Sequence, residues 1–104
     1  MPITHVAMFR FRSDVAEEDL VALHRAVAGL PARIPAVQSF ACGRDLGLLE
    51  GIATHGWDYA VVATFADVAG YEAYRVDAGH REVIEAHILP AVAARASVQF
   101  DSGA

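Results

Sequence analysis

Four segments of the chain either alternate apolar and polar side chains or are apolar on both faces, over lengths typical of β-strands. In the clearest of them, WDYAVVATF, Tyr59, Val61 and Ala63 share one face, while Val62 and Thr64 share the other. Because successive side chains of a strand point to opposite faces, this segment has two largely apolar faces. The predicted strands are residues 3–12, 37–44, 57–65 and 94–101.

Two segments between the predicted strands carry apolar residues at the helical spacing of three or four. In the first, Leu20, Leu23 and Val27 recur at this spacing. The residues just before them, 17–19, are all acidic, and the helix dipole favours negative charge in a first turn. The predicted helix is therefore about four turns long and ends at Pro31.

The second helical segment contains a break. Asp67 has a side chain suited to a helix N-cap, and the predicted helix runs to about Val76. The sequence Asp-Ala-Gly at residues 77–79 interrupts the pattern, which resumes over residues 80–89. The longest remaining connection, residues 46–56, contains three glycines and is predicted to be a loop.

The order of these elements is β-α-β-β-α-β, which predicts an α+β subunit with the ferredoxin-like fold. In this fold the helices cover one face of the sheet. We expect Phe9, Phe11, Tyr59 and Val61 to lie on the other face, where contact with water would favour aggregation. The sequence therefore predicts a homodimer, in which two sheets pack through their helix-free faces and form a dimeric α+β barrel.

Length and charge exclude several classes of function. The 104 residues predict a single domain, residues 1–104. The net charge is −5 and no basic patch is present, so we expect no nucleic-acid partner. No apolar run approaches a bilayer span and no signal peptide is evident, so we expect no membrane association and a cytoplasmic location. Cys42 is the only cysteine, which excludes an intrachain disulfide.

Three side chains could form an acid/base site in this otherwise apolar chain. His5 lies near the start of the first strand, and Tyr74 and His80 flank the predicted helix break. An imidazole can accept and return a proton near neutral pH, and a phenol can donate a hydrogen bond to a developing enolate oxygen. The alternative is structural, because a lone histidine is often a hydrogen-bonded core residue, and Tyr74 competes with Tyr71 for the position facing the sheet.

The remaining histidines do not form a metal-binding pattern. His87 follows His80 by seven residues, whereas zinc-binding pairs on a helix are commonly four apart. The sequence also contains no phosphate-binding loop, dinucleotide-binding glycine pattern or nucleophilic serine elbow. We therefore expect neither a metal nor a cofactor.

Several motifs together resemble one known family, the stress-responsive A/B barrel domain. The motifs are HVAMFRFR at the N-terminus, IPAV before the second strand, GRD after it, and DYAVVATFADVAGYEAY followed by the histidine that restarts the helix. The resemblance extends from His5 to about Phe100. It implies a dimeric α+β barrel of two ferredoxin-like subunits, in agreement with the element order.

The resemblance also implies a site. The family includes a plant olivetolic acid cyclase, which closes the ring of a linear polyketide without a cofactor, and His5, Tyr74 and His80 match residues of its pocket. Asp77 and Ala78 replace the His-Pro pair that the family often has between the last two. The predicted catalytic residues are His5, Tyr74 and His80, and the predicted substrate-binding residues are Ala7, Phe9, His24, Phe40, Val61, Asp77 and Val83.

Three functions remain open. The first is a cofactor-independent acid/base enzyme, cyclase- or isomerase-like, acting on a small apolar or polyketide-like molecule. The second is a non-catalytic stress-protective or ligand-binding barrel. The third is a cofactor-free monooxygenase; the related haem-degrading enzymes place Asn and Trp beside the histidine, whereas this chain has no Asn and its only Trp is Trp57. A small-molecule cavity lined by the three candidates would favour the enzyme over a purely structural barrel.

Overall fold

A four-stranded antiparallel β-sheet forms the centre of the subunit, and the helices pack on one of its faces. The computed structural model describes residues 1–48 and 56–104. The strands lie in the order β2-β3-β1-β4, so β1 and β3 are central. The strands are β1 (Ile3–Phe11), β2 (Ser39–Arg44), β3 (Tyr59–Phe65) and β4 (Val92–Asp101), and the helices are α1 (Glu17–Ala28), α2 (Val68–Val76), α3 (Ala78–Val83) and α4 (Leu89–Ala91).

The predicted element order and ferredoxin-like fold class are confirmed, but β3 begins at Tyr59, two residues later than predicted. Asp58 explains the difference, because its hydrogen bonds to the end of β1 do not follow the pattern of regular antiparallel pairing. Its N–H donates to the Phe9 carbonyl oxygen at 2.7 Å, and its carboxylate accepts a hydrogen bond from the Phe11 N–H at 2.9 Å. The side chain of Asp58 thus replaces one backbone partner at the edge of the pair.

The other differences in the bounds are small. β2 begins at Ser39, two residues later than predicted, and β4 begins at Val92, two residues earlier. Of the predicted loop over residues 46–56, residues 49–55 lie outside the described residues. The longest helix, α1, has 12 residues. Among the described helices, none has the length and apolar character needed to cross a membrane.

The interruption of the second helical segment is shorter than predicted. Only Asp77 departs from helical geometry, with φ −58° and ψ 135°, and α3 already begins at Ala78. The Asp77 carboxylate explains the early restart, because it caps the new helix by accepting a hydrogen bond from the His80 N–H at 3.0 Å. After α3 the chain forms a π-helical segment, Ile84–Ile88, and then α4.

The helices cover the face of the sheet that carries the odd-numbered residues of β1 and β3. Tyr59, Val61 and Phe65 are at most 3% exposed. Phe9 and Phe11 lie on the same face, with ring centroids 6.0 and 6.1 Å from that of Tyr59. The prediction that these two residues, Tyr59 and Val61 lie on the helix-free face is therefore wrong. Both faces of the central strands are apolar, so alternation identifies two faces without saying which one the helices cover.

The even-numbered residues of β1, β3 and β4 form the opposite, more exposed face. In register, Val6 lies between Val62 of β3 and Val98 of β4. The exposed fractions of Val62, Val98 and Phe100 are 40%, 56% and 48%. Large apolar side chains with this exposure are typical of a surface that packs against another protein subunit. We call this surface the open face, and its members are Thr4, Val6, Met8, Ala60, Val62, Thr64, Val98 and Phe100.

Candidate functional site

A cavity of about 410 Å³ lies between the helix-covered face of the sheet and the helices. Its volume is within the range of small-molecule sites. Most of its lining is apolar, and its polar side chains are two histidines, a tyrosine, two arginines and a serine. The lining residues are His5, Ala7, Phe9, Val27, Leu30, Val61, Tyr74, Arg75, His80, Val83, Ile84, Ile88, Arg95, Ala96 and Ser97.

Tyr74 and His80 stack on each other at the cavity wall, with ring centroids 4.2 Å apart and ring planes 30° apart. Tyr74 lies near the end of α2 and His80 in the first turn of α3, on either side of Asp77. In one continuous helix, residues six apart would be rotated by about 240° and would point to different sides. The extended backbone at Asp77 changes this rotation and allows the two rings to meet.

His5 reaches the same cavity from the central strand β1. Its ring centroid is 5.8 Å from that of Tyr74 and 5.4 Å from that of Tyr71. The residue is 9% exposed, and its Nδ1 atom is hydrogen-bonded to the Gln99 side chain at 2.9 Å. The three side chains predicted to be catalytic therefore line one cavity, and their catalytic role remains a prediction.

Burial favours the uncharged forms of the ionisable groups in the cavity. Removal from water lowers the pKa of His5, and the nearby His80 lowers it further. Burial also lowers the pKa of His80, which the Arg75 carbonyl and the Asp77 carboxylate partly offset. For Tyr74, burial raises the pKa of the phenol to about 12. At neutral pH the site therefore holds uncharged imidazoles and a protonated phenol.

The backbone at the helix break determines which nitrogen of His80 can act as a base. The His80 Nδ1 atom lies 3.4 Å from the carbonyl oxygen of Arg75. Because a carbonyl oxygen can only accept a hydrogen bond, this contact assigns the proton to Nδ1 and leaves a lone pair on Nε2. A neutral imidazole in this tautomer can accept a proton at Nε2.

Four of the seven predicted substrate-binding residues line the cavity. In β1 and β3 the two-residue period places three of them on the helix-covered face with His5. The fourth follows His80 in α3 by three residues, a spacing that keeps two side chains on one side of a helix. These four residues are Ala7, Phe9, Val61 and Val83.

The structure does not bring His24, Phe40 or Asp77 to the cavity wall, which corrects the prediction for these three. The exposed residue His24 lies on α1 with its Nδ1 atom 2.6 Å from the Tyr59 hydroxyl, outside the cavity lining. Phe40 belongs to the edge strand β2, which β3 separates from β1. Asp77 uses its carboxylate to cap the first turn of α3 and thereby positions the helix that carries the histidine.

Sequence reasoning missed polar residues that come mainly from β4. Arg95 and Ser97 line the cavity, and Gln99 is hydrogen-bonded to His5. Their register partners in β1 are the helix-facing residues. The alternation Arg-Ala-Ser-Val-Gln contains the signal, because polar residues at every second position of a strand share one face. Arg75 from the last turn of α2 was also missed.

The cavity offers proton donors and acceptors. Across residues 1–48 and 56–104, no three His, Cys, Asp or Glu side chains are grouped so that they could hold a metal ion. The neutral His80, the protonated Tyr74 and the neutral His5 together supply one base and donors on a mostly apolar wall. Such an arrangement can move a proton to and from a small apolar molecule.

Comparison with solved structures identifies proteins of the same fold. A dimeric ferredoxin-like protein of unknown function from Thermobifida fusca is 38% identical, with a TM-score of 0.83 over 96% of this chain and 90% of that one. A hydroxynitrile lyase from Passiflora edulis is 18% identical, with a TM-score of 0.83 over 95% and 91%. The cofactor-independent oxygenase SnoaB from Streptomyces nogalater is 14% identical, with a TM-score of 0.73 over 97% and 92%. The two enzymes show the fold alone.

The sequence itself identifies the family. No curated protein matches the chain. The family model described as the stress responsive A/B barrel domain matches residues 3–102, which is nearly the whole length. The resemblance of its strand and helix motifs to that family is thereby confirmed, and the chain belongs to the stress-responsive A/B barrel domain family.

Proposed function

We propose that this protein is a cofactor-independent acid/base enzyme, cyclase- or isomerase-like, that acts on a small apolar or polyketide-like molecule. The observation that carries the proposal is the stack of Tyr74 on His80, with centroids 4.2 Å apart, on a cavity of about 410 Å³ that His5 also lines. A titratable pair that is at least partly buried beside a largely apolar cavity is a typical feature of small-molecule active sites.

The proposed step is proton transfer at a carbon next to a carbonyl group. His80 Nε2 accepts the proton, and the electron pair of the broken C–H bond forms the C=C bond of an enolate, whose negative charge lies on oxygen. The Tyr74 hydroxyl, still protonated at neutral pH, donates a hydrogen bond to that oxygen. Return of the proton from His80 to a different carbon completes an isomerisation. In an aldol ring closure the enolate carbon instead attacks a second carbonyl, and protonated His80 gives its proton to the alkoxide that forms.

His5 would serve as a second donor to the same oxygen. The Gln99 amide nitrogen donates to His5 Nδ1 at 2.9 Å, which assigns the proton of the neutral ring to Nε2. Burial lowers the pKa of His5, so this ring stays uncharged at neutral pH. It then acts as a hydrogen-bond donor through Nε2 and does not give up its proton. Two donors and one base would then surround the reacting group.

Among solved structures of the same fold are enzymes, so the fold is compatible with catalysis. One is a hydroxynitrile lyase and another is a cofactor-independent oxygenase. We favour proton transfer over oxygenation because the cavity combines a free imidazole nitrogen with a phenol donor, which are the groups that enolate formation requires.

We further propose that the working protein is a homodimer joined through the open face. That face carries Val62, Val98 and Phe100, which are between 40% and 56% exposed in one subunit. The 38% identical protein from Thermobifida fusca is dimeric. Packing two such apolar faces together would remove them from water and leave each cavity on the helix-covered side.

Exchange of α-protons with solvent tests the proposal. Acetophenone, a small apolar ketone, is incubated in D₂O with the protein, and loss of its methyl proton signal is followed by NMR. We expect catalysed exchange with the native protein and background exchange with His80→Ala. His87→Ala is the matched control, because His87 does not line the cavity. Exchange that is equal in both variants, or absent from the native protein although acetophenone binds, would overturn the proposal in favour of a binding protein.

A further inference from the structure

One cation at the cavity has no anionic partner in the described parts of the chain. Both arginines of the lining, Arg75 and Arg95, could neutralise an anion. The Arg75 guanidinium is already paired with Glu72, with Nη2 and Oε2 2.8 Å apart. The described ion pairs, all with an N···O distance of at most 4.0 Å, do not include Arg95. Arg95 is therefore available to a ligand.

Arg95 is the first member of a polar row that leads along the cavity to the candidate catalytic residues. Arg95, Ser97 and Gln99 occupy alternate positions of β4, so they share the face that Phe9 and His5 occupy on β1. Arg95 and Ser97 line the cavity, and Gln99 is hydrogen-bonded to His5. The row thus connects an unpaired cation with the base and donors described above.

The charge of the lining differs from that of the whole chain. The protein has 13 acidic and 8 basic residues and a net charge of −5. The cavity lining nevertheless contains two arginines and no aspartate or glutamate. An anion in the cavity would therefore meet a cation without a neighbouring carboxylate in the wall to repel it.

We propose that the molecule bound in this cavity is a carboxylate, whose two oxygens are held by the Arg95 guanidinium with the Ser97 hydroxyl as a further donor. This inference rests on the proposed function and names the chemical class of its substrate. A planar guanidinium matches a carboxylate through two parallel N–H···O bonds. Arg95, the one arginine of the lining without an ion pair among residues 1–48 and 56–104, balances one negative charge, which suits a carboxylate better than a phosphate dianion.

The register also determines where the reacting part of such a molecule lies. Arg95 is opposite Phe9, and His5 is four residues away along β1, which corresponds to about 13 Å of strand. A carboxylate at Arg95 and a reacting group beside His5 would therefore lie well apart along a largely apolar cavity. This geometry favours an acid with an apolar chain between the carboxylate and the reacting group over a short acid such as acetate.

Binding of matched probes tests the proposal. The affinities of hexanoate, 1-hexanol and acetate are measured by calorimetry on the native protein and on Arg95→Gln, Arg95→Lys and Arg25→Gln. We expect hexanoate to bind at least tenfold more tightly than hexanol or acetate. Arg95→Gln should weaken hexanoate by about 10- to 100-fold and leave hexanol unchanged. Arg95→Lys should retain part of the preference, and Arg25→Gln on α1 should bind as the native protein does.

Three results would overturn the carboxylate assignment. They are equal binding of hexanoate and hexanol, unchanged hexanoate binding in Arg95→Gln, and displacement of hexanoate by inorganic phosphate at a lower concentration than by acetate. Acetophenone exchange by the native protein separates this inference from the proposed function. Arg95-dependent hexanoate binding by a native protein that shows no catalysed exchange, although acetophenone binds, would establish the carboxylate site and reject the enzyme. Catalysed acetophenone exchange together with hexanoate binding that does not depend on Arg95 would support the enzyme and reject the carboxylate site.

Discussion

The two faces of the sheet are both apolar along the central strands, but only the helix-covered face carries titratable rings beside a cavity. On the helix-covered face, β1 contributes His5 to a cavity with a stacked tyrosine and histidine. On the open face, the next residue, Val6, lies between two valines of the neighbouring strands. We propose that adjacent positions of one strand serve separate purposes, with the chemistry on one side and the assembly on the other. Substitutions one residue apart should consequently have different effects.

The largest difference is expected between Val61→Glu and Val62→Glu. Val61 is 3% exposed beneath the helices, so a carboxylate there would be buried without a partner and should prevent folding. Val62 is 40% exposed on the open face, so the same change should leave a folded subunit that no longer dimerises. Circular dichroism reports folding, and light scattering reports mass. A Val62→Glu protein that remains a dimer would show that the open face is not the interface.

The next effect concerns the neighbouring tyrosines of α2. Tyr74→Phe removes the proposed donor to the enolate oxygen and should slow acetophenone exchange by about 10²- to 10³-fold at most. Tyr71→Phe is the matched control, because Tyr71 contacts His5 without lining the cavity. We expect the Tyr71→Phe protein to catalyse acetophenone exchange at nearly the native rate. Equal losses in both variants would point to a packing role for the tyrosines instead of hydrogen bonding to the substrate.

A smaller effect is expected in the pH dependence of stability. Burial lowers the pKa of His5 and His80 below 6.5 in the folded state, while in the unfolded chain they titrate near that value. Between the two values the unfolded chain binds more protons, so the free energy of unfolding should fall as the pH drops below 6.5. The free energy of unfolding, measured by urea denaturation at pH 7.5 and 5.0, should decrease less in His80→Gln than in the native protein. His87→Gln is the control, and an equal dependence in all three proteins would contradict the shift.

Local signals in the sequence account for the elements and for the meeting of the site residues. The break at Asp77 was visible as a change in the helical pattern, and it is the feature that lets Tyr74 and His80 stack. Alternation in β1 placed His5, Ala7 and Phe9 on one face. What alternation did not provide was the choice of the covered face, because both faces of β3 are apolar.

Contacts that depend on register between distant strands were not predictable from one sequence. Gln99 meets His5 only because β4 pairs with β1 across 94 positions of the chain. Arg95 likewise reaches the cavity through that pairing. His24 was expected at the cavity, yet the 2.6 Å contact of its Nδ1 with the Tyr59 hydroxyl holds it elsewhere. The first two contacts follow from strand register and the third from helix orientation, and neither can be read from one sequence.

Nitrogen-15 NMR of histidine-labelled protein tests the central claim, a neutral base on the helix-covered face, most directly. His80→Ala and His87→Ala assign the signals, and spectra are recorded through a pH titration with and without acetophenone. We predict that His80 at pH 7 carries its proton on Nδ1, titrates below 6.5, and shifts together with His5 when acetophenone binds, while His24 and His87 do not shift. A His80 that is charged at pH 7, or acetophenone shifts confined to His24 and His87, would contradict the account.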